Sequence, residues 1–544
     1  MDSLSRVVPC IFKRKRSRNP IPTVRDRALI IVAYLANGRQ PTGPITEAFR
    51  DYINNEIPIR FINTENHQFI PRQEVFTFFQ GEIASVTEEQ ITERMQSSQE
   101  DLSASYRPRY ERTLRQIIQE IVVYVVLSHR WDEVSGEPSY QDISPWRCSQ
   151  FKKLVKFCKT ARELGYKLAW VDTCCIDKTN AVELSEAINA MYKWYANAYL
   201  CIIHLAESES YADWARDSWF TRGWTLQELL APQRIKFYKK TWQSFTPSGI
   251  ENDRQSEDTL RFLENVTGIS RAVLTADNSH GVEEGHTFWE IMSWASQRQT
   301  THIEDKAYCL IGLFRVSLTI TYGENQRAFS RLVEEIATRS PSWDVFAWCG
   351  RPSVQHFALP PSPASYPVFK ADTGKDRAGV QEFSITPDRL SLKSLPPIPM
   401  GVRSVAEPEE PGQPFRVKLG PRSGEERSLG RYGDLLVECG TTHLDIMRRA
   451  RQLSVCILNH HRGRRREQGK LIVGREYICL LLCSEGEEDD GTGERTWMKL
   501  VTNNLVRITC VGKPEEATQE QDLAGPNEFT LSLATTYIRA IDAF

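Results

Sequence analysis

The sequence has no long apolar run: stretches such as Ala28 to Ala36, Ile121 to Leu127 and Tyr477 to Cys483 are far short of the ~20 residues that cross a bilayer as a helix. No membrane-spanning role is expected. Neither sign of charge is in surplus, with 68 Lys plus Arg against 70 Asp plus Glu and a formal charge of -2, so no global field draws the chain to nucleic acid or anionic lipid. It has no C-x-x-C pair, and its 13 cysteines are odd in number and scattered; in so long a chain this predicts reduced thiols, not a disulfide framework. H-E-x-x-H, G-x-S-x-G, G-x-G-x-x-G and G-x-x-x-x-G-K-[ST] are all missing, which removes the usual signatures of metalloproteases, α/β-hydrolases, dinucleotide folds and P-loop NTPases. No repeat of fixed period is present. The basic cluster Lys13 to Arg18 follows a weak apolar patch, the reverse of secretory order, so a cytoplasmic location is expected and the cluster is assigned no function.

What is present reads as a folded, multi-part protein. At about 100 to 200 residues per domain, 544 residues predict three or four units, and 40% hydrophobic with 25% charged residues suits a buried core. Residues 1–120 read as mainly helical, with a short hairpin over PIRFINTENHQFI. From 121 to 250 short β-branched runs (IVVYVVLS, KLAWVD, YLCIIHL, RIKFY) alternate with amphipathic segments, the mark of an α/β domain with a parallel sheet. The clearest helix spans Ala181 to Ala198, with Leu184, Ile188, Met191 and Tyr195 on one face and a capping box from Asn180 and Glu183. Two more are expected at about Cys148 to Leu164, closed by Gly165, and Trp224 to Leu230, stopped by Pro232. Residues 251–345 continue as a helical extension. Beyond 346 Pro-rich loops separate alternating strands, which predicts a β-rich C-terminal domain.

In an open doubly wound sheet, ligands bind beyond the carboxyl ends of the strands. After the first run come Ser128, His129, Arg130, Trp131 and Asp132; after the second, Asp172 to Lys178. Arg130 offers a fork for phosphate or carboxylate, Trp131 a stacking face, and Ser128 and Asp172 hydrogen-bonding groups, a set that suits a nucleotide. A structural ion pair between Arg130 and Asp132 or Asp172 is the alternative. A thiolate pair of Cys174 or Cys175 with His204 is disfavoured, because a 2-1-3-4 strand order sets the second and third strands about two spacings, ~10 Å, apart. His280 and His286 are six apart in a glycine-bearing segment, so a metal site is not expected. Met191, Trp194 and Trp294 read as packing. DNA binding through Lys13 to Arg18 and Arg462 to Arg466 is disfavoured by the charge balance.

The blocks LSHRWDE, LAWVDTCCIDKTNAVELSEAINAMYKWYANAYLCIIHLAE and DSWFTRGWTLQELLAP, followed by MSWASQRQTTHIEDKAYCLIGLF and TYGENQRAFSRLVEEI, resemble the fungal heterokaryon incompatibility (HET) domain over roughly residues 121–350. That resemblance implies an effector of programmed cell death after fusion of unlike hyphae, and a TIR-like (flavodoxin-like) fold. Many HET proteins add a nucleotide-binding switch and a repeat array, for which this chain has no motif. Plant TIR domains carry a W-C-L-x-E-L helix whose glutamate cleaves NAD; here Trp224, Thr225, Leu226, Gln227, Glu228 and Leu229 set Glu228 on the catalytic position, with Thr225 in place of cysteine. The implied substrate-binding set is Ser128, Arg130, Trp131, Asp132, Asp172, Asp177, Lys178 and Trp224. NAD is the implied substrate, no cofactor or metal is required, and self-association and an incompatibility partner protein are implied. One carboxylate near a developing oxocarbenium ribose is enough for such a cleavage. Two alternatives stay open. Glu228 fits equally as a first-turn glutamate paired with Arg222 or Arg234, and the domain as a non-enzymatic module acting by homotypic assembly.

Overall fold

The computed structural model describes residues 43–97, 106–131, 136–142 and 151–367, without 280, 284 and 355–357, and between 380 and 539 the strands with their immediate flanks. Asp132 and the basic cluster at 13–18 lie outside the described residues. The chain divides into two compact units, one from residues up to 125 plus 141–175, the other from 126–140 plus 176 onward.

In the first unit, helix Gly43–Glu56 buries Ile45, Phe49, Tyr52 and Ile53, spaced to share one helical face. Strands β1 (Arg60–Asn63) and β2 (Phe69–Pro71) then form the hairpin read from the sequence. Helices Glu88–Ser97 and Tyr106–Ile121 follow, joined by an Arg94–Glu120 ion pair. Before helix Tyr106–Ile121 ends, Arg115 reaches back 2.8 Å to Glu56.

The hairpin is more than a local feature. The N-terminal strand β1 lies antiparallel to β4 (Leu168–Trp170), with Ile62 opposite Ala169 and Asn63 opposite Leu168. Thr64 seals the end of this pairing, its N–H donating to Lys167 O at 3.0 Å and its hydroxyl to Tyr166 O at 2.8 Å. The α/β layer is therefore mixed and not purely parallel. Helix Lys152–Glu163 leads into β4 and ends as expected, with Gly165 at φ 89° allowing Tyr166 N–H to reach Ala161 O at 2.9 Å.

In the second unit, β3 (Val125–His129, whose first residue belongs to the other unit), β5 (Leu200–His204) and β6 (Ile235–Tyr238) lie side by side in that order. This is the first-third-fourth part of the order expected from the sequence. The β5–β6 pair is parallel, and every residue of the three strands is buried, as continuous β-branched runs require. Helix Ala181–Asn197 connects into β5 and buries Ile188, Met191, Trp194 and Tyr195. Asn180 caps it through Val182 N–H and Glu183 N–H. Glu183 does something the capping-box reading does not anticipate. The cap residue's own N–H bonds Asp177 O at 3.1 Å, and Glu183 Oε1 accepts the Asp177 N–H at 2.6 Å, pinning the preceding loop.

The C-terminal region is antiparallel and β-rich, as its texture predicts, and it closes on itself. Strands Ile398–Ala406, Phe415–Pro421, Asp434–Thr441, Val506–Val511, Glu476–Ser484 and Gln452–Ile457 pair antiparallel in that order, and the last pairs back with the first. Alternate residues fill the interior: Leu453, Val455 and Ile457; Tyr477, Cys479, Leu481 and Cys483; Val506 and Ile508. That period of two is the strand repeat, and closure leaves no sheet edge around the ring. Part of HHRGRRREQGK forms a hairpin, His461–Arg462 against Gln468–Ile472.

Among the described residues, no helix is long and apolar enough to cross a membrane. The nine described cysteines are free thiols, eight of them buried.

Candidate active site

The site is built on the carboxyl end of β3. Ser128 has no exposed surface; its hydroxyl donates to Glu228 Oε2 at 2.5 Å and accepts from the Trp219 indole N–H at 2.8 Å. Glu228 stands in the first turn of the six-residue helix Thr225–Leu230, all of whose residues are buried; it is itself 6% exposed. The carboxylate is thus buried and held by a hydroxyl that Trp219 in turn fixes.

Trp219 is positioned by Asp217. One oxygen of that carboxylate accepts Trp219 N–H at 3.0 Å, while the other accepts the Ser208 hydroxyl at 2.7 Å and Glu207 N–H at 3.2 Å. Burial pushes Asp217 above the usual carboxylate value, with these hydrogen bonds opposing it. The helix start is tied to the same turn, since the Thr225 hydroxyl donates to Trp219 O at 2.6 Å.

Of the other residues named from the sequence, Arg130 points to the surface. Its Nη1 donates to Glu207 Oε1 at 3.0 Å and Ser218 Oγ at 2.7 Å. The ion-pair alternative for Arg130 is therefore realised with Glu207, a partner not considered from the sequence. Burial alone would raise the Glu207 carboxyl, but hydrogen bonds from Ser218 and Arg130 hold it below its ordinary value. Trp131 is covered by cations: Lys178 Nζ lies 3.7 Å and Arg222 Cζ 4.8 Å from the ring centroid, a cation–π arrangement. Arg222 also donates to His129 O at 3.1 Å. Asp177 accepts the N–H and hydroxyl of Thr179 at 3.0 and 2.6 Å, turning the chain into helix Ala181–Asn197. Trp224 lies near the buried Asp305 carboxyl, which receives the Tyr322 hydroxyl at 2.9 Å. Asp172 follows β4, half-buried, in the first unit.

The structure therefore joins Ser128 to Glu228 and Lys178 to Trp131, two links that spacing does not reveal. Of the arginines considered for Glu228, Arg222 turns to His129 O and Trp131, and Arg234 lies over the Tyr199 ring with Cζ 4.0 Å from its centroid. Trp219, Glu207, Asp217 and Arg298 were not singled out from the sequence. All four lie inside the quoted sequence blocks, but no motif separates them from their neighbours.

The rejected constellations fare as follows. His204 stacks on Trp242 with centroids 4.4 Å apart, its Nε2 3.4 Å from Lys240 O. His286 sits 3.6 Å from Glu290. Among the described residues, no cluster of three His, Cys, Asp or Glu is arranged to hold a metal; His280 and Glu284 lie outside them.

Residues 124–213, which contain β3, Arg130, Trp131 and the Asp172 to Lys178 loop, match the heterokaryon incompatibility protein (HET) family. Over that stretch the chain is similar to heterokaryon incompatibility domains. Over 233 residues it is also 38% identical to the vegetative incompatibility protein HET-E-1 of Podospora anserina, an alignment covering 40% of this chain and 16% of that protein. The chain thus spans a small fraction of this relative's length. No solved structure matches it. The matched HET segment ends before Trp219 and Glu228, so the carboxylate half of the site is supplied by residues beyond it.

Proposed function

We propose that the chain is an effector of heterokaryon incompatibility that triggers programmed cell death, and that its HET domain is TIR-like and cleaves the nicotinamide–ribose bond of NAD with Glu228 as the working carboxylate. The observation that carries this reading is the Ser128–Glu228 hydrogen bond, which sets a buried carboxylate against the carboxyl end of β3, the side on which sheets with parallel strands bind ligands. In the reaction the C–N bond breaks with its electron pair leaving on nicotinamide, which departs neutral and needs no acid. Positive charge develops on the ribose, and a carboxylate in low-dielectric surroundings stabilises it. Water then adds to the ribose carbon and releases one proton, giving ADP-ribose.

Ser128 and Trp219 hold the carboxylate in this scheme. Arg130 and Lys178 supply cations for the diphosphate, Trp131 and Trp224 apolar faces for the rings, and Asp177 an acceptor for ribose hydroxyls. Asp132 and Asp172 are assigned with them from the sequence alone. The chain works in the cytoplasm and self-associates, and an incompatibility partner protein triggers it.

Purified full-length protein at high concentration should release nicotinamide from NAD, and Glu228→Ala should abolish release while the circular dichroism stays native. Release that persists in a folded Glu228→Ala protein ends the assignment. One observation favours a second reading: a 6%-exposed carboxylate already bonded by Ser128 is also what an architectural glutamate looks like. On that reading the domain kills by homotypic assembly and partner recruitment, and cell death on overexpression survives Glu228→Ala.

A further inference from the structure

Segment 298–305 converges on the start of the Glu228 helix from a distant part of the chain. Gln299 is clasped by backbone on both sides, its N–H bonding Thr221 O at 2.6 Å and its carbonyl accepting Gly223 N–H at 2.8 Å. Asp305 sits near the Trp224 side chain. Next to Gln299 is Arg298, whose Nη1 donates to Thr225 Oγ1 at 2.8 Å and to Arg222 O at 2.9 Å, and whose Nε donates to Trp294 O at 3.2 Å. These three acceptors are uncharged.

We propose that Arg298 is a positioning residue for Glu228, its guanidinium tying down the first turn of helix Thr225–Leu230 and supplying the positive charge that the enclosed carboxylate faces. A cation at the amino end of a helix opposes the backbone dipole, so the seat of Arg298 needs an anion to account for it. The charged and titratable groups around the helix identify that anion. Burial pulls the Arg298 guanidinium down to about 10, and negative charge at Cys309 or Glu228 would raise it. Cys309 is itself pushed far up by burial and is a neutral thiol near pH 7. Cys201 on β5, which also feels Glu228, is pushed well up by burial too. Arg254 serves the opposite end of the helix, donating to Leu229 O, Pro232 O and Leu274 O, where a cation suits the dipole. Asp305 receives the Tyr322 hydroxyl at 2.9 Å and is not among the charges that act on Arg298, so the charge left to answer Arg298 is that of Glu228.

This inference rests on Glu228 being the working carboxylate, and its test reads the carboxylate directly. Infrared difference spectra of the full chain, wild type minus Glu228→Gln, isolate the Glu228 carboxyl band and its titration midpoint. Arg298→Gln, compared with Arg298→Gln/Glu228→Gln in the same way, should raise that midpoint by about one pH unit or more, the effect of removing a nearby opposite charge. Arg298→Lys should stay close to wild type. The Gln299 clasp is backbone-only, so the segment keeps its main attachment in these variants. If Arg298→Gln fails to fold, Arg298→Met and Arg298→Lys make the same comparison, Met expected high and Lys near wild type.

An unchanged midpoint in a folded, charge-removed variant overturns the proposal. Nicotinamide release is read in parallel: its acid limb should move upward with the midpoint. Absence of release from every variant, wild type included, defeats NAD cleavage while leaving the carboxyl shift to decide the role of Arg298.

Discussion

Ser128 Oγ lies 2.5 Å from Glu228 Oε2 although the two residues are 100 positions apart in the chain. The serine is the last but one residue of β3 and the glutamate belongs to a short helix that precedes β6. Ser128→Ala should remove the donor to Glu228 and leave the Trp219 indole N–H, bonded at 2.8 Å in the native protein, buried without its acceptor. A loss of about 2 kcal/mol is expected. Urea unfolding followed by tryptophan fluorescence measures it, and a midpoint equal to wild type would show that the hydroxyl has no structural weight.

Gly223 is required by close approach. A Cβ there would meet Thr300 Cγ2 at 2.5 Å and Cys309 Sγ at 3.2 Å. Gly223→Ala should therefore cost about 1–3 kcal/mol through overpacking, and adding Thr300→Ser, which deletes the clashing methyl, should restore most of it. A double variant no more stable than the single one would locate the strain elsewhere.

The Glu207 carboxyl titrates below its ordinary 4.5 in the folded chain: burial pushes it up, and hydrogen bonds from Ser218 and Arg130 outweigh that. For a lowered acid the sign is fixed. Its stabilisation is full above about pH 4.5 and is lost as pH falls through the lower folded value. Arg130→Ala should narrow this dependence, so that acidification costs the variant less than wild type. Because Arg130 and Glu207 are 44% and 45% exposed, the difference should stay under about 1 kcal/mol. Thermal melts between pH 3 and 7 provide the comparison.

Lys178 Nζ stands 3.7 Å from the centre of the Trp131 ring. If the pair serves the substrate, Lys178→Gln should raise the KM for NAD several-fold with kcat nearly kept, the pattern of lost uniform binding. Loss of kcat with KM unchanged would instead assign Lys178 to the chemical step.

Local signals were legible in the sequence, and long-range ones were not. Helix Ala181–Asn197, its Asn180 cap and the Gly165 stop are each written within a few residues, and the structure has all three. The four β-branched runs became strands β3 to β6 because continuous apolar stretches suit burial on both faces. By contrast, the pairing of β1 with β4 joins residues about 100 apart, and a hairpin reads the same whether or not its outer edge finds a partner. Ring closure of the C-terminal strands depends on Gln452–Ile457 meeting Ile398–Ala406, which alternation cannot foretell. At the site, the loops after β3 and β4 were chosen from residue type and topology. Trp219 escaped notice because a buried indole looks like ordinary core until its N–H is seen to point at Ser128.

Two hydrogen-bonded neighbours on β4, Leu168 and Ala169, depend on a strand that starts at residue 60. Any fragment cut to begin near residue 120 would strip that cover and lay bare a row of main-chain donors and acceptors, an invitation for foreign strands to attach. Clumping of such a shortened piece would then report where the scissors fell, and an assembly seen only in it should not be credited to the intact molecule.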